Sequence, residues 1–118
     1  MMKGDSLKGL QGDIRAFAKA RDWDQFHTPK NLSMALSVEV AELMEHFQWL
    51  SSQQSVMLDP PKLEAVSQEI GDVLIYLTRL ADVLGIDPVD AAFRKMQLNE
   101  IKYPVEKSKG IAAKYTEL

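Results

Sequence analysis

The sequence predicts an all-α fold, an antiparallel helical bundle of about four helices. Three observations predict it. Apolar residues recur at helical spacing in four stretches, and no stretch alternates apolar and polar residues between turn signals as a half-buried strand does. Two of the stretches open on Asp-Pro, at Asp59-Pro60 and Asp87-Pro88. There the aspartate accepts free N–H groups, and proline fills the first helical position, where no N–H is needed. The connections are short, which favours antiparallel neighbours. A chain of 118 residues holds one domain of ordinary size.

The first helix is expected over about Ser6–Arg21, with Leu7, Leu10, Ile14, Phe17 and Ala18 on one face and Asp5 or Ser6 as its cap. A polar and aromatic link follows, Trp23–Asn31. The second helix is expected over about Leu32–Leu50, capped by Asn31 or Ser33, with Leu36, Val40, Leu43, Met44 and Phe47 as its apolar residues. Ser51–Leu58 reads as a polar loop. The third helix starts at Pro60 and carries a long stripe: Leu63, Val66, Ile70, Val73, Leu74, Leu77, Leu80, Ala81 and Leu84. Gly85 ends it, because glycine enters the left-handed C-terminal conformation cheaply. The fourth helix starts at Pro88, with Asp90 in its positively polarised first turn, and stops before Pro104. The domain is expected to span residues 1–104, leaving 105–118 as a polar, lysine-containing tail. Met34, Val38 and Met44 on the second helix, and Leu74 and Ile75 on the third, exceed what one small bundle covers. A homo-oligomer built through these two helices is therefore expected.

Composition excludes several classes. With 14 Lys+Arg against 17 Asp+Glu the net charge is −3, which argues against a nucleic-acid partner, whose phosphates need neutralising. The absence of cysteine excludes disulfide scaffolds, zinc fingers and thiol nucleophiles, and fits a cytoplasmic, reducing setting. The opening MMKGDSLKGL has no apolar run, so no signal peptide is expected, and no uncharged segment is long enough to span a bilayer.

The apolar stripes are interrupted by acids. Glu39 and Glu42 stand i, i+3 on the second helix, and Glu69 and Asp72 stand i, i+3 on the third, each pair on one face. The first pair lies about ten residues, or ~15 Å, before the end of its helix; the second lies about as far after the start of its own. In an antiparallel hairpin the pairs meet at one level. Exposed acidic pairs are common on helix surfaces, but four converging carboxylates in a partly dry groove repel one another, and a hard divalent cation resolves the conflict. An oxygen-only donor set favours Mg²⁺ or Mn²⁺ over zinc or copper. The Glu-x-x-His motif of di-iron bundles is absent, since Leu43 stands three before His46.

Glu39-x-x-Glu42 followed by Glu69-x-x-Asp72 resembles the motif of the MazG-like superfamily of all-α nucleoside triphosphate pyrophosphohydrolases. Further segments resemble its dCTP pyrophosphatase branch: Arg21-Asp22-Trp23, Gln25-Phe26-His27, Pro29, Asn31-Leu32, Phe47-Gln48-Trp49, Asp72-Val73-Leu74-Ile75-Tyr76-Leu77, Lys95-Met96, Asn99, Tyr103-Pro104 and Lys114–Leu118. The resemblance covers nearly the whole chain. It implies Mg²⁺-dependent hydrolysis of a nucleoside triphosphate, dCTP or a modified dCTP, to the monophosphate and pyrophosphate, as a house-cleaning of the nucleotide pool. It makes Glu39, Glu42, Glu69 and Asp72 both metal ligands and catalytic groups, with Glu45 a further acid beside them.

A base-binding slot needs flat apolar faces, which Trp23, Trp49 and Tyr76 supply. Tyr76 lies four after Asp72 and Trp49 seven after Glu42, each on the acidic face of its helix, while His27 and Asn31 are candidates either to read the base or to shape the link. Lys95, Asn99 and Lys102 share one face of the fourth helix and suit the outer phosphates, with Lys114 and Tyr115 as further substrate contacts. One position departs from the pattern. Aligned on Arg21-Asp22-Trp23, Ile14 stands where eukaryotic dCTP-preferring members carry a histidine, which bears on cytosine readout and leaves the chemistry intact. The resemblance also implies a tetramer of two tight dimers. Competing readings are a general dNTP or dUTP pyrophosphohydrolase, a phosphoribosyl-ATP pyrophosphohydrolase, and a non-catalytic helical binding module.

Overall fold

A computed structural model describes residues 6–118. Asp5, one of the two caps expected for the first helix, lies outside the described residues. Among the described residues six α-helices follow in order: α1 Leu7–Ala20, α2 Pro29–Glu45, α3 Ser52–Ser55, α4 Pro60–Val83, α5 Pro88–Lys102 and α6 Val105–Ser108. Single 3₁₀ turns lie at Asp24–Phe26 and Tyr115–Glu117, and there is no strand among the described residues. No helix among them is long and apolar enough to cross a membrane.

The chain divides into two compact units, Met1–Gly85 and Ile86–Leu118. In the first, α1 and α2 both pack on α4. Contacts fix the direction of the α2–α4 pair. The turn preceding α2 bonds to Arg79 near the end of α4, with Asp24 Oδ1 accepting from Arg79 at 2.7 Å. His46 and Leu50, just beyond α2, line a cleft with Asp59, Lys62 and Ala65 at the start of α4. The two helices are therefore antiparallel. The fully apolar core is small: Ile14 and Ala18 of α1, Leu32 of α2, Val66 and Ala81 of α4.

Capping chemistry sets most boundaries. The Ser6 hydroxyl accepts from Gly9 N at 3.0 Å, and the Asp59 carboxylate accepts from Lys62 N at 2.9 Å. Gly85 takes φ +71°, the left-handed turn that closes α4. Asp87 accepts from both Val89 N and Asp90 N. The second helix departs from expectation at both ends. It starts at Pro29, capped by Thr28, whose hydroxyl accepts from Asn31 N at 3.2 Å. The Thr-Pro pair is the stronger start signal, for the same reason as Asp-Pro. It stops at Glu45 instead of continuing to Leu50. Ser51 begins a new helix there with a reciprocal capping box to Gln54, and its extended backbone (φ −70°, ψ 163°) prevents a continuous helix into α3. The segment read as a polar loop thus contains α3.

In the second unit, α5 begins and ends where the sequence places it. Residues 105–118 hold α6 and a 3₁₀ turn, and Tyr115 packs edge-on against Tyr103 with ring centroids 6.1 Å apart.

Candidate active site

The acidic pairs sit on the facing sides of α2 and α4. Glu39, Glu69 and Asp72 each offer a carboxylate oxygen, and these oxygens lie within 4.8 Å of one another. Glu42, one turn beyond Glu39, is half-buried and stands outside that trio, and Glu45 is exposed at the helix end. Crowding is severe at the trio's centre. Glu39 Oε2 and Glu69 Oε2 are shielded from solvent and have no hydrogen-bond partner. Burial, reinforced by the neighbouring carboxyls of Glu42, Glu69 and Asp72, pushes the Glu39 carboxyl up to about 7. Buried, unpartnered oxygens among like charges form a donor set that fits a hard divalent cation.

The link between α1 and α2 is a tightly bonded turn. Trp23 N donates to Ala18 O at 2.9 Å and Phe26 N to Trp23 O at 2.8 Å. Asn31, a candidate base reader, donates its side-chain amide to Phe26 O at 3.0 Å and so helps hold the turn. Trp23 lies edge-on to Phe17 (centroids 5.6 Å apart) and to His27 (6.2 Å), with much of its indole exposed. His27 Nδ1 accepts from Arg79 Nε at 3.0 Å. Burial and the Arg79 charge lower the histidine's proton affinity, against the opposing pull of Asp24.

Arg79 and its partners carried no signal in the apolar-stripe reading. Arg79 is only 8% exposed, inside the stripe of α4. Besides His27 and Asp24 it approaches Asp82 Oδ2 at 3.7 Å, and Asp82 in turn accepts from Gln11 at 2.9 Å and from Arg15 Nε at 2.6 Å. The i, i+3 spacing of Arg79 and Asp82 was the available clue, since a charge pair buried in an apolar stripe needs partners.

Tyr76 is half-buried on α4, one turn after Asp72. Trp49 is 87% exposed in the turns that follow α2, so the helical register that put it on the acidic face does not reach it. Ile14, by contrast, is a core residue. A cleft of about 610 Å³ at the other end of the α2–α4 pair is lined by His46, Leu50, Met57, Lys62 and Ala65, with neither the acids nor these aromatics in its wall.

The second unit carries a cation pair. Lys102 sits beside Lys95 closely enough to lower the proton affinity of Lys95, and Lys102 Nζ lies 4.9 Å from the Tyr115 ring centroid. Asn99 is half-buried on the same helix, and Lys114 is exposed.

The MazG-like family profile matches residues 34–118. Among curated proteins, the chain is 49% identical over 104 residues to dCTP pyrophosphatase 1 of Mus musculus and 42% identical to that of Homo sapiens, covering 86% of this chain in each case. It spans 61% of the length of these relatives. A crystal structure of a pyrophosphatase from Archaeoglobus fulgidus DSM 4304 is 44% identical, with a TM-score of 0.80, covering 88% of this chain and 97% of that one.

Proposed function

Because the chain belongs to the MazG-like family, we propose that it is a Mg²⁺-dependent nucleoside triphosphate pyrophosphohydrolase acting on dCTP or a modified dCTP. The observation that carries this is the trio Glu39, Glu69 and Asp72, with its buried and unpartnered oxygens. The dCTP pyrophosphatase 1 relatives support the substrate.

In this reaction a water oxygen bonds to the α-phosphorus, the bond from that phosphorus to the α,β-bridging oxygen breaks, and pyrophosphate leaves. Glu39, Glu69 and Asp72, with Glu42 beside them, would hold Mg²⁺ (or Mn²⁺), which would neutralise charge on the phosphate oxygens and acidify a water. The chain's own contribution is placement. The antiparallel α2 and α4 bring carboxylates from two helices to one point without any loop to reorder. A carboxylate of this cluster accepts the proton of the attacking water. Trp23, Trp49 and Tyr76 offer aromatic faces for a base, and His27 a polar edge. Lys95 and Lys102 form a cation pair suited to phosphate oxygens, with Asn99, Lys114 and Tyr115 as further contacts.

The exposed apolar faces of α2 and α4 support a homo-oligomer, which we place as a tetramer of two dimers in the cytoplasmic nucleotide pool. Met34, Val38 and Met44 are all more than half exposed, as is Ile70, and Leu74 and Leu77 are more than two-fifths exposed.

A second reading, turnover of several dNTPs including dUTP, is favoured by Ile14. As a core residue it offers no polar group to a cytosine edge. A turnover assay decides, using dCTP, 5-substituted dCTPs, dTTP, dUTP, dATP and dGTP with and without Mg²⁺, and following pyrophosphate and orthophosphate separately. The proposal expects Mg²⁺-dependent pyrophosphate release that favours cytosine nucleotides. Equal turnover of all bases selects the second reading, and no turnover of any overturns the enzymatic one.

A further inference from the structure

The buried charge network at the end of α4 has a direction to it. Arg79 projects from a packed helix, is 8% exposed, and reaches across to a turn that precedes a different helix. All three guanidinium nitrogens are used: Nε donates to His27 Nδ1 at 3.0 Å, one amino group bonds to Asp24 Oδ1 at 2.7 Å, and the other approaches Asp82 Oδ2 at 3.7 Å. Asp82 is anchored independently by Gln11 and Arg15 of α1. Three segments are thus tied at one point: α1, the Trp23–His27 turn and α4.

Ionic groups in an apolar stripe add little net stability, because desolvation offsets their attraction. What a planar three-way fork does supply is fixed geometry. Its fixed object is the turn that carries Trp23 and His27, whose rings are in edge contact. The bond from Arg79 Nε also decides the histidine tautomer. An Nδ1 that accepts carries no proton, so the neutral ring carries its proton on Nε2 and presents a donor there.

We propose that Arg79 is a positioning residue for nucleotide binding, holding the Trp23–His27 turn as a preformed wall and fixing His27 as the Nε2–H tautomer. This rests on the reading of that turn as part of the base site. The role needs Arg79 to touch only protein. Its effect on a nucleotide is exerted through Trp23 and His27.

Two variants of the full chain test it, with Mg²⁺ present. Arg79→Lys keeps a cation beside Asp82 but lacks the planar fork whose separate nitrogens reach His27, Asp24 and Asp82. Asp24→Ala removes one partner at a side chain that is 57% exposed, so the core is untouched. Each is expected to raise KM for the preferred nucleotide about tenfold, as the loss of a charge-assisted bond that orders a wall would. The value of kcat should stay within about twofold, since the acidic cluster is intact. Histidine ¹⁵N spectra should show the fixed Nε2–H pattern of His27 in the parent chain and a tautomer mixture in Arg79→Lys. Asp90→Asn, which breaks the exposed Arg94–Asp90 pair, is the control and should change neither reading. An unchanged KM in both variants overturns the proposal, whatever happens to thermal stability. An unchanged His27 tautomer in Arg79→Lys also overturns it, and that result stands even if the chain turns over no nucleotide, so the two readings fail separately.

Discussion

Glu39 is where the proposed chemistry and the stability of this protein conflict. Without a cation its carboxyl holds a proton up to about 7, because burial and three neighbouring acids disfavour the charge. The folded chain therefore binds a proton that the unfolded chain releases, and metal-free stability falls as pH rises through about 7. Glu39→Gln or Asp72→Asn is expected to abolish turnover, by about 100-fold or more if a direct ligand matters at least as much as the groups that support ligands. Both should stay folded. In Glu39→Gln the fall in metal-free stability between about pH 4.5 and 7 should flatten, which urea unfolding across pH 4.5–8 reads directly. Asp82 and His27 have the opposite sign. The hydrogen bond from Arg15 holds the Asp82 carboxyl below its ordinary value, outweighing the opposing effect of burial, and the Arg15 and Arg79 charges reinforce it. Burial and Arg79 hold His27 below its ordinary value. In both cases the unfolded chain takes up the proton first, so the stability they contribute is complete above the ordinary pKa and is lost as pH falls. The His27 share begins to go near its ordinary value of 6.5 and the Asp82 share near 3.8. Asp82→Asn should remove the lower limb of the acid unfolding profile and leave the upper one in place.

α4 acts as a rigid spacer between two parts of the proposed site. It carries Glu69 and Asp72, then Tyr76, then Arg79 and Asp82, and Asp72 and Arg79 stand ~10 Å apart along the axis at the helical rise. One alanine inserted after Val73 turns everything beyond it by about 100° around the axis, at 3.6 residues per turn. Turnover should be lost, while an insertion after the exposed Val56 should be tolerated; the nucleotide assay on both variants checks this. The spacer was legible in the sequence because Asp59-Pro60 and Gly85 mark its ends with local backbone chemistry. α2 was less legible. Its true start, Thr28-Pro29, lay inside a segment dominated by aromatic and polar residues, and its end at Glu45 is followed by neither proline nor glycine to mark it. The meeting of both acidic pairs was expected with a ruler laid from Leu50, five residues beyond the observed end at Glu45; the structure brings Glu39, Glu69 and Asp72 together and leaves Glu42 outside the trio. Antiparallel packing and the inward face of each helix place these acids, whichever residue closes α2. Arg79 was illegible for a different reason: a stripe of apolar residues says what is buried, and not which buried charge has partners elsewhere in the chain.

At the level of the whole molecule, the apolar surface left open on α2 and α4 is large for the core it surrounds. Met34, Val38 and Met44 on one helix and Ile70, Leu74 and Leu77 on the other are exposed side chains that water solvates poorly. Sedimentation should therefore give a mass above that of one chain, and Met34→Glu or Leu77→Glu should lower it, because a charge in an apolar interface loses hydration without gaining a partner. The five residues of the buried apolar core lead to a further expectation. If association covers those faces, part of the folding free energy belongs to the encounter between copies and not to any one copy. The melting temperature then depends on how much protein is in the tube, rising with concentration as mass action requires. If the proposed turnover needs that association, a strongly diluted stock should lose it over time, and adding back the Glu39→Gln chain should preserve it.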